Sequence, residues 1–470
     1  MIPWPLPLPL PWVALAHPSL KLISAYPLPQ LNLLPMPPTN AFAPLIERSR
    51  NLLTGWRGKL FDKGDRLILI SAVLNSLLTY FMSVFRIPKK TLKVIDSLRR
   101  AFFWQGTMLI QELNALLHGK MFAYQKKIGG LGLKNLHVQN NCLLMKFAAK
   151  ALSSAQTPWL EWLDLQHPNA LVSSSPQTSF LCRTIAQQIP TLQTISFVLP
   201  KNGSHTYFWL DTWLTPKPLA TTFPHLFSHS NLELVKVANI LRFGPEANLN
   251  NRLSLTAEQE LVSLLAILQD FMPSAEEDQR FLNRGHGFST KHAYGALMAR
   301  PDNDLIAPLI WGTKAPRKLK IFAWLLFKDR LNTRVNLAHK HIISSDLCPR
   351  CARLPEDSMH LFITCPLANR IWQRIGILPQ TDDINELWDA SLPHHLPKKA
   401  WSLVLMALLW KIWTARNDML FRSVDQCSVI TLRNLISDLD LWSHRLVETR
   451  DKEDVFSWRS YLSARCTVPM

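Results

Sequence analysis

The sequence predicts a mainly α-helical protein with a small β-hairpin in an α+β middle region and a small cysteine-histidine knuckle packed among helices. Three observations lead there. Hydrophobic residues fill 47% of the 470 positions and charged residues only 18%, with 17 Trp and 22 Phe, which suits packed helices and excludes global disorder. Apolar residues recur at helical spacing through long stretches on both sides of the middle region. Between Thr194 and Leu214, by contrast, two β-prone runs flank Asn202-Gly203, a strong short hairpin signal, with Pro200 weakening the end of the first.

Residues 1–40 form a leader with proline at every second position from Pro3 to Pro11. Proline lacks the N–H that a helix needs, so the leader is expected to be poorly ordered and PPII-like, and not a signal-peptide core. Residues 41–150 are expected to be helical and basic, with eighteen Lys or Arg against five Asp or Glu. Within them, residues 67–85 are apolar and long enough to span a bilayer. Ser71, Asn75, Thr79 and Ser83 nevertheless recur every fourth residue, so one helix side is polar and the stretch is expected to be an amphipathic core helix.

Residues 151–300 read as an irregular α+β connection, closing on a helix that Ser289 or Thr290 would cap. Residues 301–385 hold an aromatic-rich helix with Phe322, Trp324 and Phe327, expected to be core, and then the knuckle. Residues 386–470 are expected to be further helices, the apolar stretch Trp401–Trp413 being too short to cross a membrane.

The balance of 52 basic to 34 acidic residues gives a net charge of +18, which points to a polyanionic partner, nucleic acid before an anionic membrane surface. Candidate phosphate contacts are Lys89, Lys90, Lys93, Arg99, Arg100, Lys126, Lys127, Lys314, Arg317, Lys318 and Lys320. A solvated helix face explains the first group equally well. Gly129, Gly130 and Gly132 permit tight turns, but the Lys-Ser/Thr ending of a P-loop is missing, and so is a dinucleotide fingerprint. No small-molecule substrate or catalytic residue is indicated.

The seven cysteines are scattered except for Cys348, Cys351 and Cys365, and their number fits a reducing compartment better than a disulfide scaffold. With His360 the trio makes a Cys-x2-Cys-x8-His-x4-Cys set, four soft or borderline ligands without a carboxylate. That composition matches a closed, structural zinc knuckle. Three free buried cysteines are the alternative, and His339 or His341 could replace the fourth ligand. Glu356, Asp357 and Ser358 are N-cap candidates for a short helix carrying His360, and Pro366 suits the first position of the next helix.

The runs WGTKAPRKLKIFAWLLFKDRLNTRVNLAHK and LCPRCARLPEDSMHLFITCPLANRIW resemble the zinc-binding domain that ends plant LINE-type non-LTR retrotransposon reverse transcriptases. LIERSRNLLTGWRGKLFDKGDRLILISAVLNSLLTYF and the basic segment after it are similar to the part that follows the polymerase palm in those enzymes. The resemblance implies that Cys348, Cys351, His360 and Cys365 are zinc ligands, and that the chain grips nucleic acid, RNA over DNA. It also implies an intracellular, nuclear setting. Ala352 stands where that family often has glycine, and the palm's Tyr/Phe-x-Asp-Asp turn is not found, so no polymerase chemistry is expected. A truncated product without function, or a domesticated interaction module, are the competing expectations.

Overall fold

The computed structural model describes residues 39–56, 58–106, 124, 126–153, 157–161, 180–282, 285–298 and 304–467. The proline-rich leader therefore lies outside the described residues. The chain divides into two compact units, one of 1–56, 72–100 and 134–299, the other of 57–71, 101–133 and 300–470.

Three helices open the described chain: α1 (Ala43–Gly55), α2 (Lys63–Met82) and α3 (Lys89–Gln105). In α2, Leu67, Ile70, Leu74, Leu78 and Met82 are buried, an apolar stripe at three- and four-residue steps. A π-helical turn at Ile70–Leu74 keeps that stripe in register. In the opposite polar stripe the Ser71, Thr79 and Ser83 hydroxyls donate to the carbonyls of Ile68, Asn75 and Tyr80, whereas Asn75 Oδ1 is buried without a hydrogen-bond partner among the described residues. Among the described residues α2 is the one helix with the length and composition to cross a membrane, and 28% of its most apolar window is buried.

The first unit continues with α4 (Leu136–Ala151), α5 (Phe180–Ala186) and α6 (Ile189–Ile195). Asn140, in the middle of α4, is buried and latches the turn before α3. Its Nδ2 donates to the carbonyls of Met82 and Phe85, and its Oδ1 accepts from the amide of Ile87. These bonds satisfy backbone groups that a buried turn would otherwise leave unpaired.

Strand β1 (Ser196–Leu199) follows, then α7 (Leu219–Thr222), α8 (Pro224–Ser228), α9 (Val237–Phe243), α10 (Leu255–Leu268), β2 (Gln279–Leu282) and α11 (Thr290–Leu297). Ser289 caps α11 by accepting from the amide of His292, as its sequence position suggests. The β pairing departs from the expected hairpin: β1 pairs antiparallel with β2, Ser196 opposite Leu282, and not with the run after Asn202-Gly203. Residues 207–213 instead send Phe208, Trp209 and Trp213 into the apolar core with Val198, Leu226 and Leu264.

Asp278 explains the exchange. Its carboxylate accepts from the amides of Lys201, Gly203 and His205 and from the hydroxyl of Thr206. The turn is thus held by a side chain arriving just before β2. Beside it Arg280 forms a buried two-point ion pair with Asp211 and donates to Ser196.

In the second unit α12 (Ile306–Trp311), α13 (Arg317–Phe327) and α14 (Arg334–His339) precede the knuckle. After it come α15 (Pro366–Ile375), α16 (Lys398–Arg422), α17 (Ser428–Ser443) and α18 (Thr449–Thr467). Helix α16 is apolar on nearly all sides and is the central core element, packed by α13, α17 and α18. Phe322, Trp324 and Phe327 of α13 are core, as periodicity indicates, and Trp324 Nε1 donates to the carbonyl of Gly129.

Burial alone would raise the Asp278 pKa, but the hydrogen bonds from Lys201, His205, Thr206 and Gly203 outweigh it and hold it below the ordinary value of 3.8. A folded pKa below the unfolded one adds stability above the unfolded pKa and loses it as pH falls through the folded pKa. Asp278→Asn is therefore expected to destabilise the protein by about 2 kcal/mol at neutral pH, with the difference from wild type shrinking below pH 4. Denaturant melts at pH 7 and pH 3 check this, and an equal difference at both values would contradict it.

Candidate metal centre

The knuckle is built from a tight turn and a helical turn facing each other. Cys348 opens the tight turn: its amide donates to the Leu354 carbonyl, and its carbonyl accepts from the amide of Ala352. Closing so short a loop places Ala352 in the left-handed region at φ 52°, a conformation that costs a Cβ-bearing residue free energy. Glycine, frequent at this place in the similar family, would enter it without that cost.

On the other side, Asp357 accepts from the amide of His360 at 2.6 Å and caps the helical turn, as expected. Residues His360–Thr364 are wound as a π-helix, and the amide of Cys365 bonds back five residues to the carbonyl of His360. Residues five apart diverge on an α-helix, whereas the wider π turn brings 360 and 365 toward one side. The backbone then leaves the helical region at Cys365, and α15 begins at Pro366.

These two turns gather three of the four expected side chains, and the fourth, Cys365, stands outside that group and touches it at Cys348. One ligand atom from each of Cys348, Cys351 and His360 lies within 4.8 Å of the others. The Cys365 thiol meets the group through a hydrogen bond with Cys348. Cys348, Cys365 and His360 are buried and Cys351 is half-buried. His360 Nε2 faces the Cys351 sulfur at 3.3 Å, while Nδ1 lies 3.2 Å from the Thr364 hydroxyl, which fixes the ring. His339 and His341 are exposed and stand outside this buried group.

Backbone amides point at two of the sulfurs. The Cys348 sulfur accepts from the amides of Cys351 and Arg350, and the Cys365 sulfur accepts from the amide of Leu367 at the start of α15. The bond between the two thiols divides them: the contact with Cys365, then burial, pushes Cys348 up to about 12, while the same bond brings Cys365 down to about 7. Three thiols and one imidazole without a carboxylate, with amides aimed at two of the sulfurs, fit a tetrahedral zinc ion held for structure.

The knuckle is tied to α16 by charge. Glu356 is fully buried, and its carboxylate takes Nε and Nη2 of Arg416 and the amide of Arg334. Arg350, between the first two cysteines, donates to the carbonyls of Ala415 and Gln426. These two residues were not legible as site residues, because an acid beside Asp357 suggests an N-cap and an arginine between cysteines suggests solvent.

The cations singled out by sequence separate into different environments. Lys89, Lys90 and Lys93 are exposed on α3. Arg99 is a correction: it is fully buried, paired with Asp96 and donating twice to the Lys134 carbonyl, so it cannot reach a phosphate. Arg100 is half-buried and also pairs with Asp96. Lys126, Lys314, Arg317 and Lys318 are exposed and Lys320 is half-buried, while the side chain of Lys127 lies outside the described residues.

Two substitutions test the knuckle's construction. Ala352→Gly is expected to raise stability by about 1 kcal/mol through relief of the positive φ. Arg416→Met is expected to cost about 3–5 kcal/mol, because it strands the Glu356 carboxylate in the core. Thermal melts of both variants check the signs; a neutral Arg416→Met would show that the pair is dispensable.

The description "zinc-binding in reverse transcriptase" is that of a family whose model matches residues 288–372, from just before α11 to Trp372 in α15. An Arabidopsis thaliana protein named "Putative ribonuclease H protein" is 24% identical over 413 residues, covering 83% of this chain. The chain spans 65% of that relative's length. An uncharacterized mitochondrial protein of Arabidopsis thaliana is 26% identical over 146 residues, 30% of this chain and 95% of that protein. Residues 288–372 thus match the reverse transcriptase zinc-binding family, in a chain similar over most of its length to a plant protein.

Proposed function

We propose that this chain is a zinc-stabilised nucleic-acid-binding protein derived from a retrotransposon reverse transcriptase, acting by gripping RNA and not by polymerase chemistry. The cradle of Cys348, Cys351, His360 and Cys365 carries the reading, because thiols and an imidazole without a carboxylate are the donor set of a structural zinc site. The ion would supply cohesion, joining the tight turn to the helical turn. The net charge of +18 supports a polyanionic partner, and exposed Lys89, Lys90 and Lys93 offer unneutralised charge. The nucleus is the setting proposed with this origin.

A second reading is a product with no binding role. Leu60 and Tyr80 are 77% and 60% exposed, apolar side chains that solvent does not favour and that promote association.

The reading predicts about one zinc per chain, lost together with local folding in Cys348→Ser or His360→Ala. It also predicts binding to single-stranded RNA whose affinity falls linearly in log–log terms with salt, more weakly for DNA of the same sequence. Metal analysis and a salt titration of purified protein decide it. Full zinc retention in both variants, or folded protein that ignores RNA at low salt, would contradict it.

A further inference from the structure

The loop at Lys126 and the first turns of α13, some 190 residues apart in sequence, bring four cations together in the second unit. They are Lys126, Lys314, Arg317 and Lys320. Lys126 is held over the Trp311 ring, its Nζ 4.8 Å from the centroid, and Lys320 Nζ donates to the Trp311 carbonyl at 3.2 Å. Trp311 thus anchors two of the charges through two electron-rich parts of one residue, its ring face and its carbonyl.

Among the described residues none of the four has a carboxylate partner. Asp304, which lies against Gly129 in the same loop, is engaged by Lys328 and by the amides of Ile306 and Ala307. Burial first, and then the neighbouring cations, depress Lys320 and Lys126 from their usual values. Helix α13 begins at Pro316 without a side-chain cap, so its first turn adds to the same positive field. Folding gains nothing from crowding unneutralised cations, whereas an anion placed among them would relieve every pair.

Lys318, next in sequence, turns away toward Trp410, 5.9 Å from its ring. Lys89, Lys90 and Lys93 differ too: they are exposed along one face of a helix and, among the described residues, sit over no aromatic ring. The arrangement at Trp311 is a built one by comparison.

We infer that Lys126, Lys314, Arg317 and Lys320 form the phosphate-backbone site for nucleic acid, with Trp311 as its positioning residue. This rests on the nucleic-acid-binding reading above and gives it a place. With one face of Trp311 covered by Lys126, the site reads phosphates and not base identity.

The test is fluorescence-anisotropy titration of full-length, zinc-loaded protein with a 20-nucleotide single-stranded RNA across a salt series. The variant is Lys126→Glu/Arg317→Glu, compared with Lys89→Glu/Lys90→Glu. The first is expected to fold, because an acid in the first turn of α13 is favourable and replaces a repulsion. It should lose about tenfold or more in affinity, and its log–log salt slope should flatten by about 1.4, or about 0.7 per lost contact. Trp311→Leu, which releases Lys126 without changing charge, should weaken binding at an unchanged melting profile of the zinc knuckle.

An equal or larger loss in the Lys89/Lys90 variant overturns the placement while leaving nucleic-acid binding intact. Wild-type protein that takes inorganic tripolyphosphate but not RNA overturns the backbone assignment in favour of a free phosphate ligand. Wild-type protein that binds neither overturns both readings together.

Discussion

The buried carboxylate of Glu356 is the constraint on which the half that carries the knuckle depends. A fully buried acid has to be matched by charge, and Arg416 of α16 supplies it through two nitrogens. Since Glu356 lies between the two turns that carry the cysteines and the histidine, the pair sets the distance of the knuckle from the central helix. Arg350 repeats the attachment from inside the cysteine turn by binding the carbonyls of Ala415 and Gln426. The apolar surface of α16 could pack in several registers; the charges allow one.

Aromatic packing extends that register outward. Phe362, within the π turn between His360 and Cys365, meets Phe322 of α13 at 6.1 Å between ring centroids. Phe322 in turn meets Trp410 and Trp413 of α16 at 5.2 and 6.4 Å. The ligand-bearing turn is therefore not an appendage. It is one wall of the core in which α13 lies.

Much of this half was legible in the sequence because its signals are local. Ligand spacing, the Asp357 cap, Pro366 at a helix start and the apolar period of α13 each need only a few neighbouring residues. What escaped depends on long-range partners. Arg99 looks like its basic neighbours until Lys134 and Asp96 enclose it, and Glu356 looks like a capping acid until Arg416 arrives from sixty residues away. Asn202-Gly203 carries the composition of a hairpin turn, yet four hydrogen bonds to Asp278 redirect β1 to a strand that composition does not mark. The π turn at His360 was also hidden, since residue spacing alone implies an α-helix that would separate positions 360 and 365.

The two chemistries of this half meet on α13. Its C-terminal turns are buried against α16, whereas Lys314, Arg317 and Lys320 gather at and before its N-terminus. Cations with no ion-pair partner among the described residues repel one another, so a helix presenting them has to be anchored by something other than their own interactions. Phe322 and Trp324 provide the anchor, the first through the π turn and α16, the second through the Gly129 carbonyl in the loop that carries Lys126. A metal ion in the knuckle would stiffen the first of these anchors without touching the cations. Cohesion and charge presentation can thus be separated by mutation: losing a cysteine should loosen the platform, while losing a lysine should leave it standing with less to hold.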